Sequence, residues 1–258
     1  MQIDIIDNSH LDEYALPLRG GIAIHPESNK AYFGEYLNGH SRNINIFCID
    51  PDRKHIERCW TFHRSEIKHV HAIHHDPYRN RLWVLTGDTD SESSFFYTDD
   101  EFKTVQRFAG GSQQWRAIGL LFDEDSMEWG MDAGQDAPAE AVNRVFRYTF
   151  STSEIKEIAI IGNPAYAMVH CADGGAVMAT TFEPRRKQDT FRGAEIWHRQ
   201  HLGQWQRIAG FEYELHRRIG VSSYGMAYLP YGMLPTRQLA TTLVNCKYHK
   251  YSSVTINL

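Results

Sequence analysis

The feature that most constrains this chain is a repeat: a short apolar strand, a tight polar turn and a second apolar strand, five times over. The copies read GIAI-HPESN-KAYFGEY from Gly21, HAIHH-DPYRN-RLWVLTGD from His71 and RAIGLLF-DED-SMEWGMD from Arg116. Two looser copies follow, YAMVHC-ADGG-AVMATTFE from Tyr166 and YGMAYLPYGMLPTRQLATTLVN from Tyr224. Marked at Pro26, Pro77, Glu124, Asp173 and Pro230, the turns stand 51, 47, 49 and 57 residues apart. One hairpin cannot bury its own apolar face, so repeated units stack, and periods of roughly 40 to 50 residues with several strands each are the signature of propeller blades. The expectation is an all-β chain forming a five-bladed β-propeller. Five copies consume most of the 258 residues, so a single domain over 1–258 is expected.

Alternation and turn chemistry sketch each blade. In the first, strands are expected over 21–25, 31–37, 44–49 and 56–62, with Asp50-Pro51 starting the last turn. NRVFRYTF and EIKEIAII around STS supply the outer strands of the third blade, and AEIWHRQ and QWQRIAGFE around HLG those of the fourth. The fifth has one strand, YSSVTINL, after its hairpin, so the alternating residues 1–7, MQIDIID, are expected to pair with 252–258 and close the ring.

Composition narrows the function classes. A net charge of −5 gives no drive toward nucleic acid or anionic membrane, and neither is expected as a partner. No apolar run is long enough for a membrane helix, and acids from Asp4 onward exclude a cleavable signal in the chain as given. A cytoplasmic protein is expected, with export by another route left open. Cys48, Cys59, Cys171 and Cys246 lack Cys-x-x-Cys spacing, which argues against a zinc ribbon or redox pair. Cys48 and Cys59 could face each other across a hairpin but are read as reduced thiols.

In the second blade, Phe96-Tyr97-Thr98-Asp99-Asp100-Glu101-Phe102-Lys103-Thr104 resembles the Asp box, Ser/Thr-x-Asp-x-Gly-x-Thr-Trp, of bacterial-neuraminidase-repeat (sialidase-like) propellers. Glu101 or Phe102 stands where that family has Gly, and Val105 where it has Trp. The resemblance implies a structural turn on the outer strands and a carbohydrate-handling propeller. It does not carry over sialidase activity, because the arginine triad of sialidases has no counterpart that can be assigned here.

Propeller geometry directs attention to the start of each first strand and the end of each second, which meet at one face. Those positions hold Arg19 and Glu35, then His69, His71 and Asp88, then Arg116 and Asp132, then Tyr166 and Glu183, and finally Tyr224. Such convergence suits a polar ligand, although solvated rims also collect polar residues. WVLTGD, MEWGMD and MATTFE place three of the acids directly after apolar strands, which should hold them rigidly. His69 and His71 stand two apart on a strand and share a face. They are read as hydrogen-bonding or base-and-orienter residues; a divalent metal held with Asp88 is the alternative, and no cofactor is expected.

Glycoside hydrolysis needs two carboxyls across the scissile bond, and Asp88, Asp132 and Glu183 are the candidates, with His71 orienting one of them. Arg19, Glu35, His69, Arg116, Tyr166 and Tyr224 are the expected substrate contacts, and the two arginines favour an acidic oligo- or polysaccharide. A polysaccharide lyase would instead pair Arg19 or Arg116 with His71 or Tyr224 as base. A non-catalytic glycan-binding propeller is a third reading, and a protein platform with Trp115, Tyr166 and Tyr224 as hot spots a fourth. No Gly-x-Ser-x-Gly elbow, P-loop or dinucleotide fingerprint is present.

Overall fold

The computed structural model describes residues 15–18, 20–39, 41–186, 189–216, 222–249 and 251–258. Among them every regular element is a strand except one short 3-10 turn, Gln113–Trp115. The strands form five antiparallel sheets in chain order, within two compact units.

The unit ending at Arg116 holds two sheets. The first runs β1 (Ile22–His25), β2 (Lys30–Gly34), β3 (Ile44–Asp50) and β4 (His55–Phe62). The second runs β5 (His69–Asp76), β6 (Arg81–Gly87), β7 (Ser94–Thr98) and β8 (Gln106–Gly110). The unit beginning at Ala117 holds three. Its sheets are β9 (Leu121–Asp123), β10 (Ser126–Gly130), β11 (Asn143–Thr149) and β12 (Glu154–Gly162); then β13 (Ala165–His170), β14 (Ala176–Thr180), β15 (Gly193–Arg199) and β16 (Gln206–Glu212); then β17 (Met226–Tyr228), β18 (Gln238–Val244) and β19 (Ser252–Asn257).

Burial grades across each sheet. β10 and β14 are buried at every residue and β6 at all but its first, which is why WVLTG and AVMAT read as largely apolar runs rather than alternations, while the one charge of MEWG, Glu128, is buried in ion pairs. The fourth strands β12 and β16 are mostly exposed and carry the charged residues. Tight turns join the first two strands, with Asn29 and Asn80 at φ 54° and 49°, a left-handed conformation that asparagine tolerates well.

Sheets pack face to face. Ala23, Tyr32, Ile44 and Ile46 of the first meet Val70, Ile73, Leu82 and Val84 of the second. In the other unit Leu121 and Val145 pack with Met168 and Met178, and Val177, Ala179 and Ile196 pack with Leu239 and Leu243. One buried ionic network crosses between the third and fourth sheets. Arg199, fully buried, donates through Nε to Glu128 Oε2 at 2.9 Å and through Nη2 to Asp123 Oδ2 at 3.2 Å. Trp205 Nε1 and Arg147 Nε complete the shell of Glu128 at 3.2 and 2.7 Å.

Several details differ from the sequence expectation. β2 stops at Gly34, not at 37, because the Glu35 carbonyl accepts from Val70 N at 2.9 Å and the chain turns toward β5. The fifth hairpin is not tight: after Tyr228 the chain makes an excursion in which Leu234 bridges Cys171 and its N–H donates to His170 O at 2.8 Å. All four cysteines are free thiols. Among the described residues the fifth sheet has three strands, and the expected pairing partner, residues 1–7, lies outside them. No helix of the described residues is long and apolar enough to cross a membrane.

The Thr98-to-Thr104 turn is tightly bonded. Asp100 accepts from Thr98 Oγ1 at 2.8 Å and from Thr104 N and Oγ1 at 2.9 and 2.8 Å. Glu101 and Phe102, either of which stands where the resembled motif has glycine, adopt φ 55° and 69°, and Phe102 is buried with its ring centroid 5.3 Å from that of Tyr32. Core packing offsets the strain of a left-handed phenylalanine.

Removing one member of a buried ion pair leaves an uncompensated charge. Arg199→Met should therefore lower the free energy of unfolding of the chain by about 3–5 kcal/mol, measured by equilibrium urea denaturation.

Candidate functional site

Each unit assembles a cluster of the sequence-predicted residues, and the register of its first hairpin does the assembling. β5 and β6 pair antiparallel with His69 opposite Gly87, so Asp88, one residue past the strand, stands beside His69. The register then shifts between Val70 and Ala72, leaving His71 as the extra, unpaired residue of a bulge. On a regular strand residues two apart are about 6.6 Å apart along the chain; here the rings of His69 and His71 have centroids 5.0 Å apart. The bulge re-aims His71 onto its neighbour. Gly87 makes room, since a Cβ there would stand 2.6 Å from His71 Cε1.

The result is a buried triangle. Asp88 Oδ1 lies 3.3 Å from Nε2 of His69 and 3.3 Å from Nε2 of His71, and the two nitrogens are 3.2 Å apart. Lys68 Nζ donates to Asp88 Oδ2 at 2.6 Å and Arg116 Nη2 lies 3.2 Å from Oδ1. Arg116 Nη1 and Gln113 Nε2 both donate to the Asp88 carbonyl, at 3.0 and 2.9 Å. Tyr36 lies over His69, with centroids 4.1 Å apart. Burial alone would raise the Asp88 pKa, but hydrogen bonds from the two histidines and the Arg116 charge outweigh it and hold the carboxyl far below the ordinary range. Burial lowers the His71 pKa, with the Asp88 contacts only partly opposing it. Asp88 is thus suited to the ionised role in any carboxyl pair and not to proton donation.

The second cluster repeats the device. β13 and β14 pair with Ala165 opposite Thr180, and the register shifts between Ala165 and Ala167, so Tyr166 is the bulged residue. Its hydroxyl donates to Glu183 Oε1 at 2.7 Å, while Gln135 N donates to Oε2 at 2.7 Å. Gln135 Nε2 reaches Tyr224 Oη at 3.0 Å. Burial, then the charges of Asp132 and Glu183, push the Tyr166 phenol well above its usual range, so it stays a hydrogen-bond donor. Asp132, Tyr166, Glu183 and Tyr224 are therefore one electrostatically coupled group, with Asp132 buried after β10.

Beside this group lies Asp189, which the sequence reading passed over. Burial pushes its pKa up to about 7, against the opposing charge of Arg186, with the Glu183 charge adding to the rise. Arg186 Nε stands 2.8 Å from Asp189 Oδ1, but its Nη1 and Nη2 point at the carbonyls of Gly134 and Ala141, at 2.9 and 2.6 Å. The Arg-x-x-Asp spacing in the polar loop is the one sequence signal that could have marked it. Lys68 and Gln113 were also missed, since Lys68 alternates to the opposite side from His69 in an ideal strand.

Glu35 joins neither cluster. Its carboxylate takes both ends of Arg42, at 2.7 and 2.8 Å, with Asn45 N at 2.8 Å and Ala15 N at 2.7 Å. Burial would raise its pKa, but those bonds lower it. Arg19 lies outside the described residues.

No protein-family model and no curated protein matches the chain. Solved structures do. A GH74 xyloglucanase from Xanthomonas campestris is similar over 91% of this chain at 11% identity and TM-score 0.55, and the chain spans 38% of that protein's length. A gluconolactonase candidate is similar over 88% of this chain and 86% of its own at 9% identity and TM-score 0.52. The β-propeller domain of the Trilobed protease from Pyrococcus furiosus is similar over 91% of this chain and 66% of that one, at 10% identity and TM-score 0.51. At such identities the likeness shows the fold, a β-propeller, and the chemistry must come from the site itself.

Proposed function

We propose that this propeller acts on carbohydrate as a glycoside hydrolase-like enzyme whose proton chemistry centres on Glu183 and Asp189. The observation that carries this reading is the pairing of a carboxyl pushed up to about 7, Asp189, with a neighbouring carboxylate, Glu183, fixed by the neutral donors Tyr166 Oη and Gln135 N. Hydrolysis of a glycoside needs one protonated and one ionised carboxyl at the same pH. In this reading Asp189 is the acid, Glu183 the base or nucleophile, and Asp132 and Tyr224 contact the sugar. The xyloglucanase likeness lends the carbohydrate class support and nothing more specific. At Asp88, the neighbouring Lys68 and Arg116 would suit an anionic ligand on that unit, bound more weakly as salt rises.

Incubated with a panel of neutral and uronate-containing oligosaccharides, the chain should turn over at least one, and Glu183→Gln and Asp189→Asn should each lower kcat by about a hundredfold or more. Both variants should keep binding within about tenfold, because an amide retains the shape and loses the proton. Binding without turnover across the panel would transfer the reading to a glycan-binding propeller. An unsaturated uronate product would transfer it to a lyase with Tyr224 as base.

A raised Asp189 also has a signature in stability. The folded-state pKa, about 7, exceeds the ordinary 3.8, so the contribution of this group is fully present below the unfolded value and is lost as pH rises through about 7. Asp189→Asn should flatten the fall in melting temperature between about pH 4 and pH 7, read by thermal denaturation at constant ionic strength.

The finer reading of the fold, five blades in one domain with residues 1–7 as the outer strand beside Ser252–Asn257, belongs to the same proposal. A chain lacking residues 1–7 should then melt several degrees lower, by exposing the edge of β19; an unchanged melting temperature would count against closure.

A further inference from the structure

The unit that ends at Arg116 brings three possible ligand atoms close together. Nε2 of His69, Nε2 of His71 and Oδ1 of Asp88 are separated by 3.2, 3.3 and 3.3 Å, and all three side chains are buried. Ligands held about 2.1 Å from a common ion stand about 3.0 Å apart on an octahedral face and about 3.4 Å apart on a tetrahedral one. The triangle falls between those values. We propose that His69, His71 and Asp88 bind one late first-row divalent cation, zinc or an ion of similar softness, leaving the remaining coordination positions for water or an anionic ligand.

The contacts around the three side chains are compatible with a cation at that point. His69 Nδ1 lies 3.4 Å from the Leu37 carbonyl, an oxygen that can only accept. In the tautomer that donates there, His69 presents a lone pair at Nε2, the form in which an imidazole takes a cation, with Asp88 Oδ1 at 3.3 Å as the neighbouring donor atom. The same Leu37 contact is the outer hydrogen bond that orients a ligating histidine, and Lys68 on Oδ2 fixes the carboxylate, whose Oδ1 faces both histidine nitrogens and Arg116 Nη2 at 3.2 Å. Two imidazoles and one carboxylate suit zinc, cobalt or nickel; magnesium and calcium need more oxygen donors than this site offers. The charges of Lys68 and Arg116 oppose any cation, so binding should be moderate and should tighten with an anion in the open positions.

Residue construction supports the assignment. His71 is the unpaired residue of the β5 bulge and Gly87 is open to its ring, two local departures from a regular strand that serve to bring these three atoms together. The inference stands apart from the hydrolase reading, because Glu183 and Asp189 lie in the other unit and metal binding can be measured with no substrate present.

The test is calorimetric titration of the chelator-stripped full chain with zinc chloride, paired with cobalt(II) absorption spectra. One equivalent should bind, zinc at least about a hundredfold more tightly than magnesium or calcium, and the cobalt complex should show the intense ligand-field bands of a low-coordinate nitrogen-containing site. Asp88→Asn and His71→Gln should each weaken zinc by about a hundredfold or more. His63→Ala and His201→Ala, at exposed histidines, should leave it unchanged, a necessary control in a chain with 14 histidines. Should a ligand variant fail to fold, the proton NMR spectrum of the cobalt-loaded wild-type chain decides: two paramagnetically shifted imidazole N–H signals support the site, and none or more than two overturns it. Absence of stoichiometric zinc binding by the wild-type chain, or equal binding by folded Asp88→Asn, also overturns it.

Discussion

The antiparallel register of the first two strands of each sheet is the constraint on which both clusters depend. A tight turn makes the first residue of one strand face the last residue of the next, as His69 faces Gly87 and Ala165 faces Thr180. Whatever follows the second strand is then delivered to the start of the first. In both hairpins a bulge falls within the first three residues and turns one side chain toward that delivered carboxylate: His71 toward Asp88, and Tyr166 toward Glu183. Bulges concentrate beside functional sites because an unpaired residue can be aimed without disturbing the rest of the ladder. The two units use the same backbone device to present different chemistry.

Burial converts that placement into reactivity, and its sign depends on the donors available. Desolvation is the largest influence on both Asp88 and Asp189 and raises both. Around Asp88 it is overcome, because two histidines, Lys68 and Arg116 converge on one carboxylate. Around Asp189 it prevails, because Arg186 directs its terminal nitrogens to the Gly134 and Ala141 carbonyls and the Glu183 charge opposes ionisation. Equal depth in a protein thus yields a fixed anion in one place and a titrating acid in another.

The legible part of this molecule was what is local in sequence. Strand pairs and turns could be read because apolar runs and Asn, Asp, Gly and Pro turn residues are contiguous, and the positions flanking the hairpins followed from antiparallel geometry. The bulges could not be read, since one extra residue in a pairing register leaves no mark on a strand sequence such as HVHAIHH. Nor could the capture of Glu35 by Arg42 and Asn45, which depends on where the loop before β3 returns. Asp189 escaped notice because its position in a polar loop suggests solvation, whereas its carboxyl is almost wholly covered, with a side chain 3% exposed. The excursion around Leu234 replaced an expected tight turn because Leu234 finds an apolar place against Cys171 that no local pattern announces.

Buried acids are numerous here, and they differ in whether their partners are charged or neutral. Glu128 is ringed by Arg199, Arg147 and Trp205, and Glu35 by both arms of Arg42. Guanidinium donors hold each of these carboxylates, and losing either partner would leave a buried charge uncompensated. Glu183 is held instead by a tyrosine hydroxyl and a backbone N–H. Both donors are neutral, and Tyr166, its phenol pushed far up, keeps its own proton. At the same buried depth Glu128 is met by guanidinium cations and Glu183 by neutral donors, and the proposed proton chemistry at Glu183 and Asp189 rests on that difference.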